Sequence, residues 1–545
     1  MSSELTRRLG IGIGAVCIAY VMAAMTIFPS LFPDPAYGLL VQKSMRAGAA
    51  WNHMTEPRPD DIAEDHSYFY TVWSPGQQVV PGEFMALGLT LGASLTAVNI
   101  LAALLGLAGW HGLFRALAFT PVVALGACLV VVASRTFGFS FLAYVGSDQL
   151  AFAGFPFLAW ALLRARTSWA LVLLAPVAVL TGFFLKNSMA VYVTAWCGAL
   201  LVANLWSAGR SARTLAHAAA VIAAVGGAVF LLDGAYVSRG WTPMTYQPAW
   251  SPRLATYLLP TSMPILAGTG WGDLLSRVFS HPSSPPVDYK SSLALLVPLG
   301  TLTVAWGIAE CRQSLRTESR LVIVAFVAQV VAVFTVWLAT GSGASLSLSR
   351  HYMIPGVLLL PLLIERLLAI RSGLLQRALV VAMALPMLYG VLSFGANWTR
   401  HHRNRAAHSP EVGVVHLSLT PRVVQHLRTL DRSLPAGSLV VVPSPSLAFE
   451  FSRTRVLATS ATSDGVPEFE RTRWGGRVQN LVVIAELSGQ SPEEIQAWLR
   501  SFTSYAGAGW SQVSADGFSY YVPGGQAINP SWLKATLAGT SADSR

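Results

Sequence analysis

Apolar residues in this chain come in long unbroken runs separated by short polar punctuation, not at the 3.6- or 2-residue spacing of half-buried elements. The first run passes from residue 9 to residue 33 without a charge, enough helix to cross about 30 Å of hydrocarbon. Arg7 and Arg8 precede it as they would a signal peptide, but a run of that length predicts a retained span. With the first at about 9–30, the others lie near 84–108, 115–135, 147–164, 168–186, 188–207, 213–233, 291–310, 319–341, 349–370 and 376–396, about eleven candidate spans. After about Trp398 the pattern changes. Residues 423–434 predict a helix, 439–442 and 480–484 strands, 492–502 a helix opened by Ser491, and 518–522 a strand, the alternation of a small α/β domain.

The predicted fold class is therefore a polytopic α-helical membrane protein, with a transmembrane domain over 1–396 and a soluble α/β domain over 397–545. Composition agrees: charged residues are 12% and hydrophobic residues 53% of the 545, against about 25% charged in an ordinary soluble protein. That excludes a string of soluble domains. The net charge of +11 is spread singly between apolar runs, so it implies topology and no nucleic-acid partner. A cytoplasmic N-terminus puts Arg7, Arg8, Arg115, Arg164, Arg166, Arg210 and Arg213 inside, together with the arginines near 312–320 and 366–377. This orientation fits a bacterial inner membrane crossed many times. It leaves outside the tail and two loops, at about 31–83 and 234–290, the second with an irregular Pro- and Ser-rich stretch at 281–287.

Cys17, Cys128, Cys197 and Cys311 show neither zinc spacing nor a disulfide framework, so no cysteine-held zinc is expected. Basic residues at the outer ends of spans break the topological pattern and call for another reason. Arg135, Lys186 and Arg350 are the three, placed to meet an anionic lipid head group such as a phosphate, or else to snorkel to ordinary lipid phosphates or pair with a carboxylate. The first outer loop is both acidic and aromatic, a pairing that suits sugar, because rings stack on C–H faces while carboxylates accept hydroxyls and take a proton. Asp34 is its sharpest candidate, directly after the first span and expected to be partly desolvated; on local sequence it equally reads as the N-cap of a helix over 35–47. Asp60, Asp61, Glu64 and Asp65 read as a solvated loop, an acceptor contact or a divalent cation site. Asp148 either caps its helix or pairs with a cation such as Arg135 or Lys186.

In order, Asp34, Tyr37, a helix, Gly48-Ala49-Ala50-Trp51 and Trp73-Ser74-Pro75-Gly76 lead into the second span. Later come Thr181-Gly182-Phe183-Phe184-Leu185-Lys186-Asn187-Ser188 and Ser349-Arg350-His351-Tyr352-Met353-Ile354-Pro355. This arrangement resembles the GT-C superfamily of integral membrane glycosyltransferases, in the branch that includes aminoarabinose, mannose and hexuronic acid transferases. The resemblance covers about residues 5–396 and extends to a small outer C-terminal domain. It implies a polyprenyl-phosphate-linked sugar donor, an inverting transfer to a cell-envelope acceptor, Asp34 as the base, and Lys186 and Arg350 on the donor phosphate, with Arg135 beside them. Candidate sugar or acceptor contacts are Tyr37, Asp65, His66, Trp73, Asp148, His351 and Tyr352. The chain departs from the pattern at Pro35, where the family has a second acid, and at Asn187-Ser188, where it has Gly-Pro. Asp34 is then the sole base or is helped by Asp65 or His66. A glycan polymerase or ligase using a polyprenyl pyrophosphate, and a lipid-linked sugar transporter, are the alternatives; mid-span charges and repeat symmetry, which a transporter should show, are nearly absent.

Overall fold

The computed structural model describes residues 3–57, 64–207, 211–240, 254–279, 289–313, 317–340, 352–405, 412–416, 419–458, 479–486, 491–502 and 509–539. The first run folds as α1 (Ser3–Met25). The stretch that follows holds β1 (Ser30–Leu31), α2 (Pro33–Arg46), the antiparallel hairpin of β2 (His53–Pro57) and β3 (Asp65–Phe69), and α3 (Gly76–Ala86). α4 (Leu91–Ala116) and α5 (Pro121–Val132) precede the short α6 (Arg135–Phe139) and β4 (Ala143–Tyr144). Then come α7 (Ser147–Ala165), α8 (Ala170–Leu185), α9 (Asn187–Ser207) and α10 (Ala212–Ala235). The bundle continues with α11 (Leu254–Thr269), α12 (Trp271–Phe279), α13 (Tyr289–Gln313), α14 (Thr317–Thr340), α15 (Met353–Ala369) and α16 (Gly373–Arg405).

Helix starts follow local chemistry. The hydroxyls of Thr90, Thr120, Ser134 and Ser211 each accept the backbone N–H three residues on, satisfying a donor that the first turn leaves open, and Pro121 fits at N1 because it has no N–H to lose. A helix lies over each of the eleven uncharged runs. Among the described residues, five helices, α1, α4, α9, α10 and α16, are long and apolar enough to cross a membrane by length and composition. The stretch read as an outer loop at 234–290 needs correction: α11 packs inside the bundle against α13 and α15, with Ser262, Met263 and Leu266 buried. Its 16 residues fall short of the roughly 20 that mark a span, which hides it in the sequence. A Cβ on Gly268 would come within 2.6 Å of the Gly356 backbone of α15, so the helices cross on two small residues, as close packing among apolar helices requires.

The boundary drawn at 396 also moves, because α16 runs on to Arg405. Trp398 Nε1 donates to Thr26 Oγ1 at 3.0 Å and Arg405 Nη1 to Thr26 O at 2.8 Å, fastening the extension to the end of α1. The tail then forms α17 (Pro421–Ser433), β5 (Ser438–Val442), a 3-10 turn Pro445–Glu450, β6 (Arg455–Ala458), β7 (Asn480–Glu486), α18 (Pro492–Ser501), β8 (Trp510–Ala515), β9 (Phe518–Pro523) and α19 (Pro530–Gly539). The sheet order is β6-β5-β7-β9-β8, with β6, β5 and β7 parallel and the other pairs antiparallel. Period-two alternation sorts the strands: Val440, Val442, Val482 and Ile484 join α17 and α19, while Leu439, Val441, Leu481 and Val483 join Ile495, Trp498 and Leu499 of α18. Ser491 and Glu494 close a capping box at the start of α18.

The tail is not a free module. Its first apolar face runs into Leu40 and Val41 of α2, with Met54 and Tyr70, as one core. Lys43 Nζ donates to Phe451 O at 2.9 Å, and Val415 N donates to Pro29 O at 2.9 Å.

Candidate functional site

Parallel pairing of β1 with β4, Ser30 against Ala143 and Leu31 against Tyr144, sets the starts of α2 and α7 side by side. Between them opens a cavity of about 280 Å³. Its polar wall is Arg135, Thr136, Asp148, Gln149 and Asp273; Phe32, Phe139 and Met353 are among the apolar ones. Asp148, in the first turn of α7, is ion-paired with Lys186, each side chain 16% exposed. Of the two alternatives for Asp148, pairing therefore holds, and Lys186 is its partner.

Lys186 stands in extended conformation, φ −161° and ψ 133°, where α8 has ended and α9 has not begun. Residues 72–76 clamp this corner: Ser74 Oγ donates to Leu185 O at 3.3 Å and Asn187 Nδ2 to Val72 O at 3.3 Å. Gly76 completes the clamp, since a Cβ there would sit 2.5 Å from Phe184 O, a backbone atom that cannot swing aside. Gly76→Ala is expected to destabilise the protein by about 1–3 kcal/mol, the range for forced overpacking, read as a lower melting temperature.

Arg135 opens α6 and lies 3.4 Å from Asp273, with its guanidinium carbon 5.6 Å from the Phe139 ring centre. Thr136 Oγ1 donates to the other Asp273 oxygen at 2.7 Å. Asp273 comes from α12, inside the stretch read as a loop, so sequence reasoning missed it. Arg350 and His351 lie outside the described residues. Tyr352 is fully buried in the helical core, and it is its neighbour Met353 that lines the cavity.

Asp34 sits in the first turn of α2, which begins at Pro33. Two expectations change: the N-cap position belongs to Phe32, and Asp34 is exposed instead of partly desolvated. A carboxylate in a helix's first turn still meets the positive end of its dipole. Behind it stands a cluster the sequence did not single out. Glu56 of β2 accepts the Tyr68 hydroxyl at 2.9 Å, and burial pushes its carboxyl up to about 7, against the lowering effect of that hydrogen bond. Burial, then the charges of Glu56 and Asp34, raise the Tyr37 hydroxyl to about 12. Because Glu56 titrates higher folded than unfolded, it favours folding below about 4.5 and that contribution is lost as pH rises through about 7. Melting temperatures taken from pH 5 to 8 are expected to fall, and Glu56→Gln to flatten the slope.

The other candidates between residues 60 and 73 separate. Asp65 is engaged by Arg455 of β6, Nε at 3.2 Å, tying the hairpin to the tail and not to the cavity. His66 stacks on Tyr68 with ring centres 5.1 Å apart, at the edge of the Glu56 cluster. Trp73 packs against the shared core, and its carbonyl accepts the Tyr236 hydroxyl at 3.4 Å. Asp60 and Asp61 lie outside the described residues. Among the described residues, no three His, Cys, Asp or Glu side chains come together as a metal site would need.

No protein-family model and no curated protein matches this chain. Solved structures do. The crystal structure of ArnT from Cupriavidus metallidurans bound to undecaprenyl phosphate is similar over 94% of this chain and 97% of that one, with 12% identity and a TM-score of 0.52. ArnT from the same organism in the apo state has 14% identity, the same coverage and a TM-score of 0.47. A cryo-EM structure of the arabinofuranosyltransferase AftD from Mycobacteria matches with 12% identity over 94% of this chain and 41% of its own, at a TM-score of 0.40. The first likeness, spanning nearly the whole of both chains, shows the fold: this chain is folded as ArnT is, in the GT-C architecture expected from the sequence.

Proposed function

We propose that the chain transfers a sugar, with inversion, from a polyprenyl-phosphate carrier to a hydroxyl of a cell-envelope acceptor on the outer face of a bacterial inner membrane. The observation that carries this reading is the 280 Å³ cavity that Arg135 and Asp148 line, with Lys186 bound to Asp148 and Asp34 two residues beyond the Phe32 wall. That ArnT was crystallised with undecaprenyl phosphate supports a polyprenyl phosphate as the carrier.

The chemistry is a single displacement. Asp34 takes the proton of the acceptor hydroxyl as its oxygen bonds to the anomeric carbon. The bond from that carbon to the phosphate oxygen breaks at the opposite face, and the polyprenyl phosphate leaves with the electron pair. Lys186 and Arg135 meet the charge it gains, and Arg350 is assigned the same role from its place in the sequence. Asp148 neutralises Lys186, and an arriving phosphate competes for the same ammonium group.

The test is to incubate purified protein with extracted polyprenyl-phosphate sugars and follow free polyprenyl monophosphate by mass spectrometry of the lipid fraction. Release supports the reading. Consumption of pyrophosphate-linked glycans alone points to a polymerase or ligase, and consumption of neither points to transport.

A further inference from the structure

A second cavity, of about 150 Å³, lies where the tail meets the start of α2. Leu31, Phe32 and Pro33 form one wall, and His416, Ser444 and Ser446 bring polar groups from the tail. Phe32 lines the larger cavity too, so the two spaces meet at one residue, two residues ahead of Asp34.

The tail's own architecture marks the same spot. Ser444 and Ser446 follow directly on β5, the middle strand of the parallel set β6-β5-β7, at its carboxyl end. The next strand, β6, lies on one side of β5 and the later β7 on the other, so this is the switch point at which parallel sheets hold ligands. His416 is held there by a buried network. Its Nε2 lies 2.9 Å from Glu450 Oε1, and Arg428 Nε donates to Glu450 Oε2 at 2.8 Å. Burial alone would raise the Glu450 carboxyl, but His416 and Arg428 hold it below the usual carboxylate range. The Ser444 and Ser446 hydroxyls are 3.0 Å apart, a pair able both to donate and to accept.

The lining fits one class of ligand. Among the described residues it includes no Lys or Arg, which argues against an anion, whereas hydroxyls and an imidazole beside the rings of Phe32 and Phe518 match the hydroxyls and C–H faces of a sugar. The volume falls below the ~300–1,000 Å³ of sites for drug-sized ligands, so it takes one ring, not a chain. We infer that this cavity is the acceptor subsite: it holds one sugar ring of the acceptor against His416, Ser444 and Ser446 and presents a hydroxyl past Phe32 to Asp34. The inference rests on the transferase reading above.

Its test uses the full chain in detergent, with extracted polyprenyl-phosphate sugars as donor and a cell-envelope glycolipid extract as acceptor. Ser446→Trp, which fills the cavity, is expected to raise the acceptor level needed for half-maximal transfer at least tenfold. Thermal stabilisation by undecaprenyl phosphate should stay as in wild type. A milder variant, Ser444→Cys, reports occupancy directly: the acceptor extract should slow its maleimide labelling, corrected for wild-type labelling, and undecaprenyl phosphate should not. Unchanged acceptor dependence in Ser446→Trp, or unprotected labelling of Ser444→Cys during turnover, overturns the subsite while leaving the transferase reading intact. A wild type that neither binds undecaprenyl phosphate nor consumes donor overturns the transferase reading itself.

Discussion

Asp34→Asn is expected to slow sugar transfer by about 10²–10⁴-fold, the contribution of a positioned general base, while the protein still binds undecaprenyl phosphate. The substitution keeps the shape of the side chain and removes its ability to take a proton. Because Asp34 is exposed in the first turn of α2, the fold loses at most the ~0.3–1 kcal/mol of a charge at a helix terminus, so lost rate is not lost structure. Single-turnover release of polyprenyl phosphate measures the first quantity and thermal stabilisation by undecaprenyl phosphate the second. If the variant turns over at the wild-type rate, Asp34 is not the base. Glu56, the nearest other acid in the cluster and already poised near neutral pH, would then take its place.

Lys186→Ala is expected to act on two quantities at once. Removing a charge that stabilises the leaving phosphate lowers the transfer rate by about 10²–10³-fold, the effect of deleting one such donor. It also strands Asp148 without its partner. A fully buried pair loses ~3–5 kcal/mol when broken, and with both side chains 16% exposed the loss here should be nearer 1–3 kcal/mol. Adding Asp148→Asn to Lys186→Ala separates the two effects, because it removes the stranded charge. The double variant is expected to recover the melting temperature and not the rate. Recovery of both would mean that Lys186 only balances Asp148 and takes no part in handling phosphate.

Much of the architecture depends on short-range features and was legible as such. An uncharged run long enough to cross hydrocarbon becomes a helix whatever surrounds it, so a helix lies over every one of the eleven runs. The tail strands β5, β7 and β9 and helix α18 follow from period-two alternation and from the Ser491–Glu494 capping box, signals confined to a few residues. The strands β6 and β8 and the helix α19 carried weaker local signals and were missed. α11 failed differently: its burial depends on α15 offering Gly356 to Gly268, a partner far along the chain.

The site divides in the same way. That Arg135, Lys186 and Asp34 sit at span ends is a property of the sequence, as is the choice of Asp148 as a partner for a cation. Which cation it takes was decided by the clamp of residues 72–76 on the α8–α9 corner, contacts formed across more than a hundred residues. Asp273 faces Arg135 only because α12 folds back on α6, and Asp65 turns to Arg455 only because the tail docks on the hairpin. Glu56 looks like any loop acid until pairing of β2 with β3 buries it against Tyr68. The sequence by itself thus determined the apolar spans, the α/β tail and the residue types available for phosphate and sugar, since each follows from the free energy of a local segment in its solvent. The tertiary structure alone decided which charges meet, how far each is desolvated and where the cavities open, because those energies depend on distance and burial between segments that no local pattern encodes.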